Sequence, residues 1–327
     1  MNVGRSRMNA AIYRRYGPPD VVQIANVPTP DVKATEILVK VRATTVTAGD
    51  SRLRSGRVPR GFAILLRLGF GIRGPRKPIL GWELAGEVVA AGQSVTRFAP
   101  GDTVFAARMG CHAEYVAVPE SGAAPLPRNL TFQEAAALTF GGLTSLFYLR
   151  DKGRIQQSER VLINGASGAV GTAAVQLAKH FGAVVTGVCS AAHAPLVRSL
   201  GADRVIDYTR EDFTRCGDTY DVILDAVGNC SFARCKPALA PGGRLLLVVA
   251  SLGQLIGAQL WSSRAGRKVL SGVGSVRPAD LLLLRTLAES GAFKPVIDRT
   301  YEFARIADAH AYVDTGHKKG NVVITID

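Results

Sequence analysis

Val161-Leu-Ile-Asn-Gly-Ala-Ser-Gly-Ala-Val-Gly171, continuing through Thr172-Ala-Ala-Val-Gln-Leu-Ala-Lys179, is the stretch whose reading decides the fold. Its first residues make a short apolar strand. Val170, Ala173, Ala174, Leu177 and Ala178 then recur on one side of a helix, which places Gly165, Gly168 and Gly171 in a strand-to-helix turn. Glycines at such a turn let the backbone bend sharply, approach a ligand without Cβ interference and pack helix against strand. The helix start offers unpaired N–H groups and the positive end of a dipole, an arrangement that suits the pyrophosphate of a dinucleotide. The spacing is Gly-x-x-Gly-x-x-Gly, and alone it would fit a surface turn as well. The strand before it, the helix after it and a second strand at Ala183-Val-Val-Thr-Gly-Val188 favour the dinucleotide, with Gly165, Ala166, Ser167, Gly168, Ala169, Val170 and Gly171 as its expected cradle.

Outward from this turn the pattern continues as strand and helix in alternation. Strands are expected at Arg204–Ile206, Asp221–Ala226 and Pro241–Val249, with helices around Ala194–Leu200 and Phe232–Leu239. Strict alternation implies a doubly wound parallel sheet with right-handed crossovers. Before it, to about residue 130, period-two alternation predicts a mostly β region with strands at 10–15, 36–43, 83–91, 102–106 and 113–118. The apolar segment Phe62–Phe70 is either a lid or a short packed helix. Thr131-Phe-Gln-Glu134 reads as a capping box. The tail, a helix at 279–290, a short helix at 306–314 and strands near 296–303 and 321–326, has β-domain character again. The fold class is therefore α/β, with domains at 1–130 completed by 274–327, and at 131–273.

At 327 residues the chain fits two domains, and 47% hydrophobic against 20% charged residues exclude a disordered chain. The basic N-terminus lacks a following apolar run, so no secretory signal is expected. The apolar stretch Leu245–Trp261 is interrupted by Ser251, Gly253, Gln254 and Gly257 and reads as a buried strand with its exit loop, not a membrane span. Cys111, Cys189, Cys216, Cys230 and Cys235 form no C-x-x-C pair, which predicts reduced thiols in the cytoplasm. The net charge of +14 comes from scattered arginines without interleaved aromatics, so it suits an anionic cofactor better than nucleic acid.

Several ordered motifs resemble the medium-chain dehydrogenase/reductase superfamily and, within it, the zinc-independent quinone oxidoreductase (zeta-crystallin-like) branch. They are Gly17-Pro-Pro-Asp-Val-Val-Gln23, Val46-Thr-Ala-Gly-Asp50, Pro78-Ile-Leu-Gly-Trp-Glu-Leu-Ala-Gly86, Phe98-Ala-Pro-Gly-Asp-Thr-Val104, Ala113-Glu-Tyr-Val116, the glycine turn, Gly201-Ala-Asp-Arg-Val-Ile-Asp-Tyr208 and Gly316-His-Lys-Lys-Gly-Asn-Val-Val323. The resemblance implies a GroES-like β domain, a Rossmann domain, a cofactor in the cleft between them and a homodimer.

Zinc-dependent members of that superfamily use a Cys, a His-Glu pair and a separate four-cysteine cluster. Here Asp50 stands at the first position, Trp82 replaces the His before Glu83, and no cysteine cluster exists, so no metal is expected. Without a Lewis acid, hydride transfer to an electron-poor quinone or α,β-unsaturated carbonyl is the expected chemistry. Thr47 and Asp50 are the candidate catalytic residues. Thr47 lies where this branch often has an Asn lining the nicotinamide pocket, although an ordinary strand threonine fits equally. Tyr115 is a less favoured proton donor. The second strand ends Val188-Cys-Ser190 with no acid to hold ribose hydroxyls, which favours NADPH over NADH, with Ser190 donating to the 2′-phosphate. The resemblance adds Tyr208 and the position of His193, where the family has lysine. Val227, Val249 and Lys319 complete the expected cofactor set. A nucleotide-regulated RNA-binding or structural role and a zinc-type alcohol dehydrogenase are the alternatives.

Overall fold

The computed structural model describes residues 6–58, 61–254, 256–257 and 266–327. Residues 1–5 of the basic N-terminus and the end of the Leu245–Trp261 stretch lie outside the described residues. The chain divides into two compact units, one formed by 1–58, 63–140 and 276–327, the other by 59–62 and 141–275.

The first unit is built on a seven-stranded sheet. Its order is Ile297–Glu302, Asn321–Thr325, Glu36–Val46, Glu83–Ala91, Thr103–Ala107 and Ala123–Pro125, and Tyr115–Pro119 also pairs with Glu36–Val46. Glu36–Val46 is central because its alternation buries Ile37, Val39, Val41 and Ala43 completely. The C-terminal tail pairs into this sheet, Val322 antiparallel with Val46. A hairpin of Arg7–Tyr13 and Val22–Pro28 covers the sheet, in the register Ala10 to Ala25. The second of these strands is not foreseen by periodicity, because most of its residues are exposed or half-buried on both faces. The segment 62–70 contains the helix Ala63–Phe70. Its end is tied down by Tyr16, whose hydroxyl donates to the Gly71 carbonyl at 2.8 Å and whose ring lies 4.6 Å under the Arg67 guanidinium.

In the second unit all six strands are parallel, ordered Arg204–Asp207, Val184–Cys189, Arg160–Asn164, Tyr220–Asp225, Leu239–Leu247 and Lys268–Ser271. The chain starts at the centre, winds outward to one side and then to the other. The switch point falls between Arg160–Asn164 and Tyr220–Asp225, where open α/β sheets hold ligands. The expected helix at 232–239 stops at Cys235 and gives way to the turn Lys236–Ala238, because Pro237 has no N–H to continue an α-helix.

The boundary between the units lies at 140/141, ten residues beyond the expected 130/131. The Thr131–Glu134 capping box forms and opens the helix Phe132–Ala136. That helix packs on strands of the first unit, and Glu83 holds Thr139 and Phe140 there as well.

Candidate active site

The glycine turn joins the strand Arg160–Asn164 to the helix Ala169–His180. Each glycine has its own reason. Gly165 sits at φ +83°, and a Cβ there would meet Val227 Cγ2 at 2.7 Å. A Cβ on Gly171 would stand 2.0 Å from the Gly165 carbonyl oxygen, so only glycine lets the helix sit this close to the strand. Gly168 is different: its φ of −80° is ordinary, and a Cβ would have nothing closer than 3.6 Å. It is the N-cap, and it caps nothing with a side chain. The amides of Ala169, Val170 and Gly171 therefore have no intrahelical acceptor. Gly165 and Ala166 donate their amides to the Val188 carbonyl, at 3.1 and 3.0 Å, so these two shape the turn.

Beside the turn the strand Val184–Cys189 ends in Ser190, the start of a short turn at Ala191–His193. His193 Nδ1 and Ser167 Oγ are 3.2 Å apart. Tyr208 donates its amide to the Cys189 carbonyl at 3.2 Å and leaves 59% of its surface exposed. Ser167, Ser190, His193 and Tyr208 thus gather hydroxyls and an imidazole at one strand end. Asp207 is paired in register with Cys189, but its Oδ1 accepts from the Thr209 amide at 3.0 Å and hydroxyl at 2.9 Å. The thiol of Cys189 is pushed up to about 11, by burial first and then by Asp207, and is inert at neutral pH.

Val227 lies against Gly165, and Val249 lies against Gly228, where a Cβ would meet Val249 Cγ1 at 2.9 Å. The loop carrying Val227 and Gly228 is shaped by a residue that motif reading missed. Asp225 is fully buried: its Oδ1 accepts from Asn164 Nδ2 (2.9 Å) and from the amides of Val227 (3.0 Å) and Gly228 (3.1 Å), and its Oδ2 accepts from the Cys230 amide (2.9 Å). An acid closing the apolar run Val222-Ile-Leu-Asp225 was the available signal. Lys319 belongs to the first unit, where its amide donates to Asp298 Oδ2 at 3.0 Å.

In the first unit Thr47 is the N-cap of the helix Ala48–Ser55 and Asp50 is its third residue. Asp50 Oδ2 accepts from the Thr47 amide (2.8 Å) and hydroxyl (2.6 Å), and Thr47 Oγ1 accepts from the Asp50 amide (3.2 Å). Asp50 Oδ1 accepts from the Gly81 amide at 2.8 Å. Both side chains are buried, and their polar atoms are spent on a capping box pinned to the Gly81 turn. The cap commits the Thr47 hydroxyl proton to Asp50 and leaves one lone pair on Thr47 Oγ1, so in this arrangement the hydroxyl can accept a hydrogen bond from a ligand but not donate one.

Next to that turn, Glu83 is fully buried. Its Oε1 accepts from the Thr45 hydroxyl, and its Oε2 accepts from the Thr139 hydroxyl at 2.8 Å and the Phe140 amide at 2.6 Å. Burial pushes its carboxyl up to about 7 against the opposing pull of those hydrogen bonds, with Asp50 adding a small rise. Trp82 between them is half-buried, and its Nε1 has no partner.

The donor set does not fit zinc. Among the described residues no three His, Cys, Asp or Glu side chains are placed to share an ion. Every oxygen of Asp50 and Glu83 already accepts a hydrogen bond, Trp82 offers no lone pair, and the buried Cys111 thiol points at the Arg108 carbonyl, 2.9 Å away.

Residues 33–128 match the alcohol dehydrogenase GroES-like domain, and residues 200–324 match the domain described as a zinc-binding dehydrogenase. The chain is 33% identical to the chloroplastic NADPH-dependent alkenal/one oxidoreductase of Arabidopsis thaliana, over 97% of this chain and 79% of that one. It is 32% identical to the 2-methylene-furan-3-one reductase of Solanum lycopersicum, over 98% and 79%. Among solved structures it is similar to the quinone oxidoreductase from Coxiella burnetii, with a TM-score of 0.86, 27% identity, and coverage of 98% of this chain and 100% of that one. Among the described residues no helix is long and apolar enough to cross a membrane.

Proposed function

Since the chain belongs to the medium-chain dehydrogenase/reductase superfamily, in its quinone oxidoreductase-like branch, we propose that it is an NADPH-dependent, zinc-independent reductase of α,β-unsaturated carbonyls or quinones. The observation that carries this reading is the uncapped helix start at Gly168 beside a strand that ends in Cys189–Ser190 without a carboxylate. A pyrophosphate would take the amides of Ala169, Val170 and Gly171, where the dipole favours negative charge. The 2′-phosphate would be held by Ser190, His193 and Tyr208, while the neighbouring carboxylate of Asp207 is engaged by the Thr209 amide and hydroxyl. Val227 and Val249 would give the nicotinamide an apolar neighbourhood, held in shape by Asp225.

The bound nicotinamide supplies a hydride. An enone accepts it at the β-carbon, the electron pair moves to the carbonyl oxygen, and the resulting enolate takes a proton at the α-carbon. Water or a hydroxyl delivers that proton. The capping box of Thr47 and Asp50 positions the Gly81–Trp82–Glu83 turn, and the remaining lone pair of Thr47 Oγ1 can accept a hydrogen bond from a ligand. The reaction needs no Lewis acid, because conjugation already polarises the acceptor. The same reading extends to a homodimer and, from the five free cysteines, to a reducing compartment such as the cytoplasm.

Stopped-flow loss of the reduced-nicotinamide absorbance with an enone and a naphthoquinone is the test. Turnover of either, undiminished by a chelator, supports the reading. Tight NADPH binding with no turnover of either acceptor would sink it.

A further inference from the structure

A groove of about 630 Å³ opens in the first unit between the Arg7–Tyr13 and Val22–Pro28 hairpin, the segment 75–79 and the strand Tyr115–Pro119. That volume falls in the range of small-molecule sites. The groove is separate from the glycine turn, which lies in the other unit. Its floor is apolar, formed by Met8, Ile12, Val27, Ile79 and Met109, and two methionines in one floor let it adapt to the shape of a flexible ligand. The floor is held by backbone pairing: Ile12 bridges to Ile79, Ala10 bridges to Ala113, and the Tyr13 amide donates to the Pro78 carbonyl at 2.9 Å.

The charges on this groove have one sign. Its lining includes Arg14, Arg76 and Arg108 and not a single Asp or Glu. Arg108 pairs with Glu36 at 3.1 Å. Among the described residues Arg14 and Arg76 have no ion pair, both are exposed, and the Tyr115 hydroxyl on the same wall makes no hydrogen bond. Two unpaired guanidiniums at the rim of an apolar trough match a ligand with an anionic head and an aliphatic tail. Guanidinium binds a carboxylate through paired N–H donors, and the tail gains by leaving water.

We propose that this groove is a second binding site, for a single-chain aliphatic carboxylate, with Arg14 and Arg76 at the head and Met8 and Met109 along the tail. The three methionines of the chain make it directly observable. With the methionine methyls carbon-13 labelled, decanoate is titrated into the full chain by NMR, with 1-decanol as the uncharged control. Decanoate is expected to move the Met8 and Met109 signals saturably, and to bind about tenfold tighter than the alcohol, the worth of one charge-assisted pair. The double variant Arg14→Gln/Arg76→Gln removes only exposed, unpaired charges. It is expected to keep the methyl fingerprint of the free protein and to bind acid and alcohol equally. Unmoved Met8 and Met109 signals would overturn the proposal, as would equal affinity for acid and alcohol in the unaltered chain, or full decanoate affinity in the double variant. None of these readouts depends on NADPH or turnover, so the site stands or falls apart from the proposed reaction.

Discussion

Gly168 separates binding from folding more cleanly than any other position. Its backbone is already that of an N-cap, and it has room for a side chain. Gly168→Asp should therefore cap the helix and leave the melting temperature unchanged or higher. An N-cap acid against glycine is worth a few tenths of a kcal/mol. The same carboxylate would occupy the place of the pyrophosphate, so NADPH affinity should collapse, as measured by fluorescence titration. A variant that binds NADPH normally would show that the cradle lies elsewhere. Thr47 allows the complementary test. If its hydroxyl serves the cap, Thr47→Ser keeps stability and activity, whereas Thr47→Val loses about 1 kcal/mol of stability with kcat per folded molecule little changed. A large kcat loss in Thr47→Val at unchanged melting temperature would return Thr47 to the reaction.

The strand Glu83–Ala91 and the segment starting at Thr139 are joined through one carboxyl group, and this has a pH signature. Glu83 binds its proton more tightly in the folded chain, about 7 against an ordinary 4.5. Between those values the folded state holds more protons than the unfolded, so stability is fully present below 4.5 and is lost as pH rises through about 7, by about 3 kcal/mol. His310 works in the opposite direction. It is fully buried, neither ring nitrogen has a partner, and burial, with His112 and Arg54 nearby, holds its pKa well below 6.5. The unfolded chain takes up that proton first, so stability falls as pH drops below 6.5. Glu83→Gln is isosteric and can keep its oxygen toward Thr139 and Phe140 while the Thr45 hydroxyl turns to accept from the new amide. It should flatten the alkaline limb of a urea-midpoint profile and leave the acid limb in place; an unchanged alkaline limb would count against this account. The same elements explain what could be read in advance. The strands, the glycine turn and the Thr131 cap are written in residues one to four apart, where period and capping chemistry act locally. Glu83's partners Thr45 and Thr139 lie 38 and 56 positions away, and the Gly81 amide on Asp50 lies 31 away. No local pattern encodes such pairs, so the pinning of Asp50 to the Gly81 turn could not be read in advance.

The whole chain carries +14, and its proposed ligand is a polyanion, so electrostatics should decide how the molecule tells NADPH from NADH. None of Ser190, His193 and Tyr208 carries a permanent positive charge, and Asp207 beside them is negative; the phosphate there meets hydroxyls, an imidazole and the field of thirty arginines and ten lysines. Contacts of the hydroxyl kind resist salt, whereas attraction by distant charges is screened beyond roughly 8 Å at physiological ionic strength. A ligand that binds only the folded state stabilises it by about 2.7 kcal/mol at a hundredfold excess over Kd, so thermal shift reads affinity without any acceptor. At low salt NADPH should raise the melting temperature more than NADH at equal concentration. Raising the salt should narrow that gap without closing it, the remainder being what Ser190, His193 and Tyr208 hold directly. His193→Lys, which puts a fixed charge at the phosphate, should widen the gap at every salt concentration. Equal shifts for the two nucleotides at low salt would mean that the open end of the strand Val184–Cys189 does not read the phosphate, and the NADPH assignment would fail.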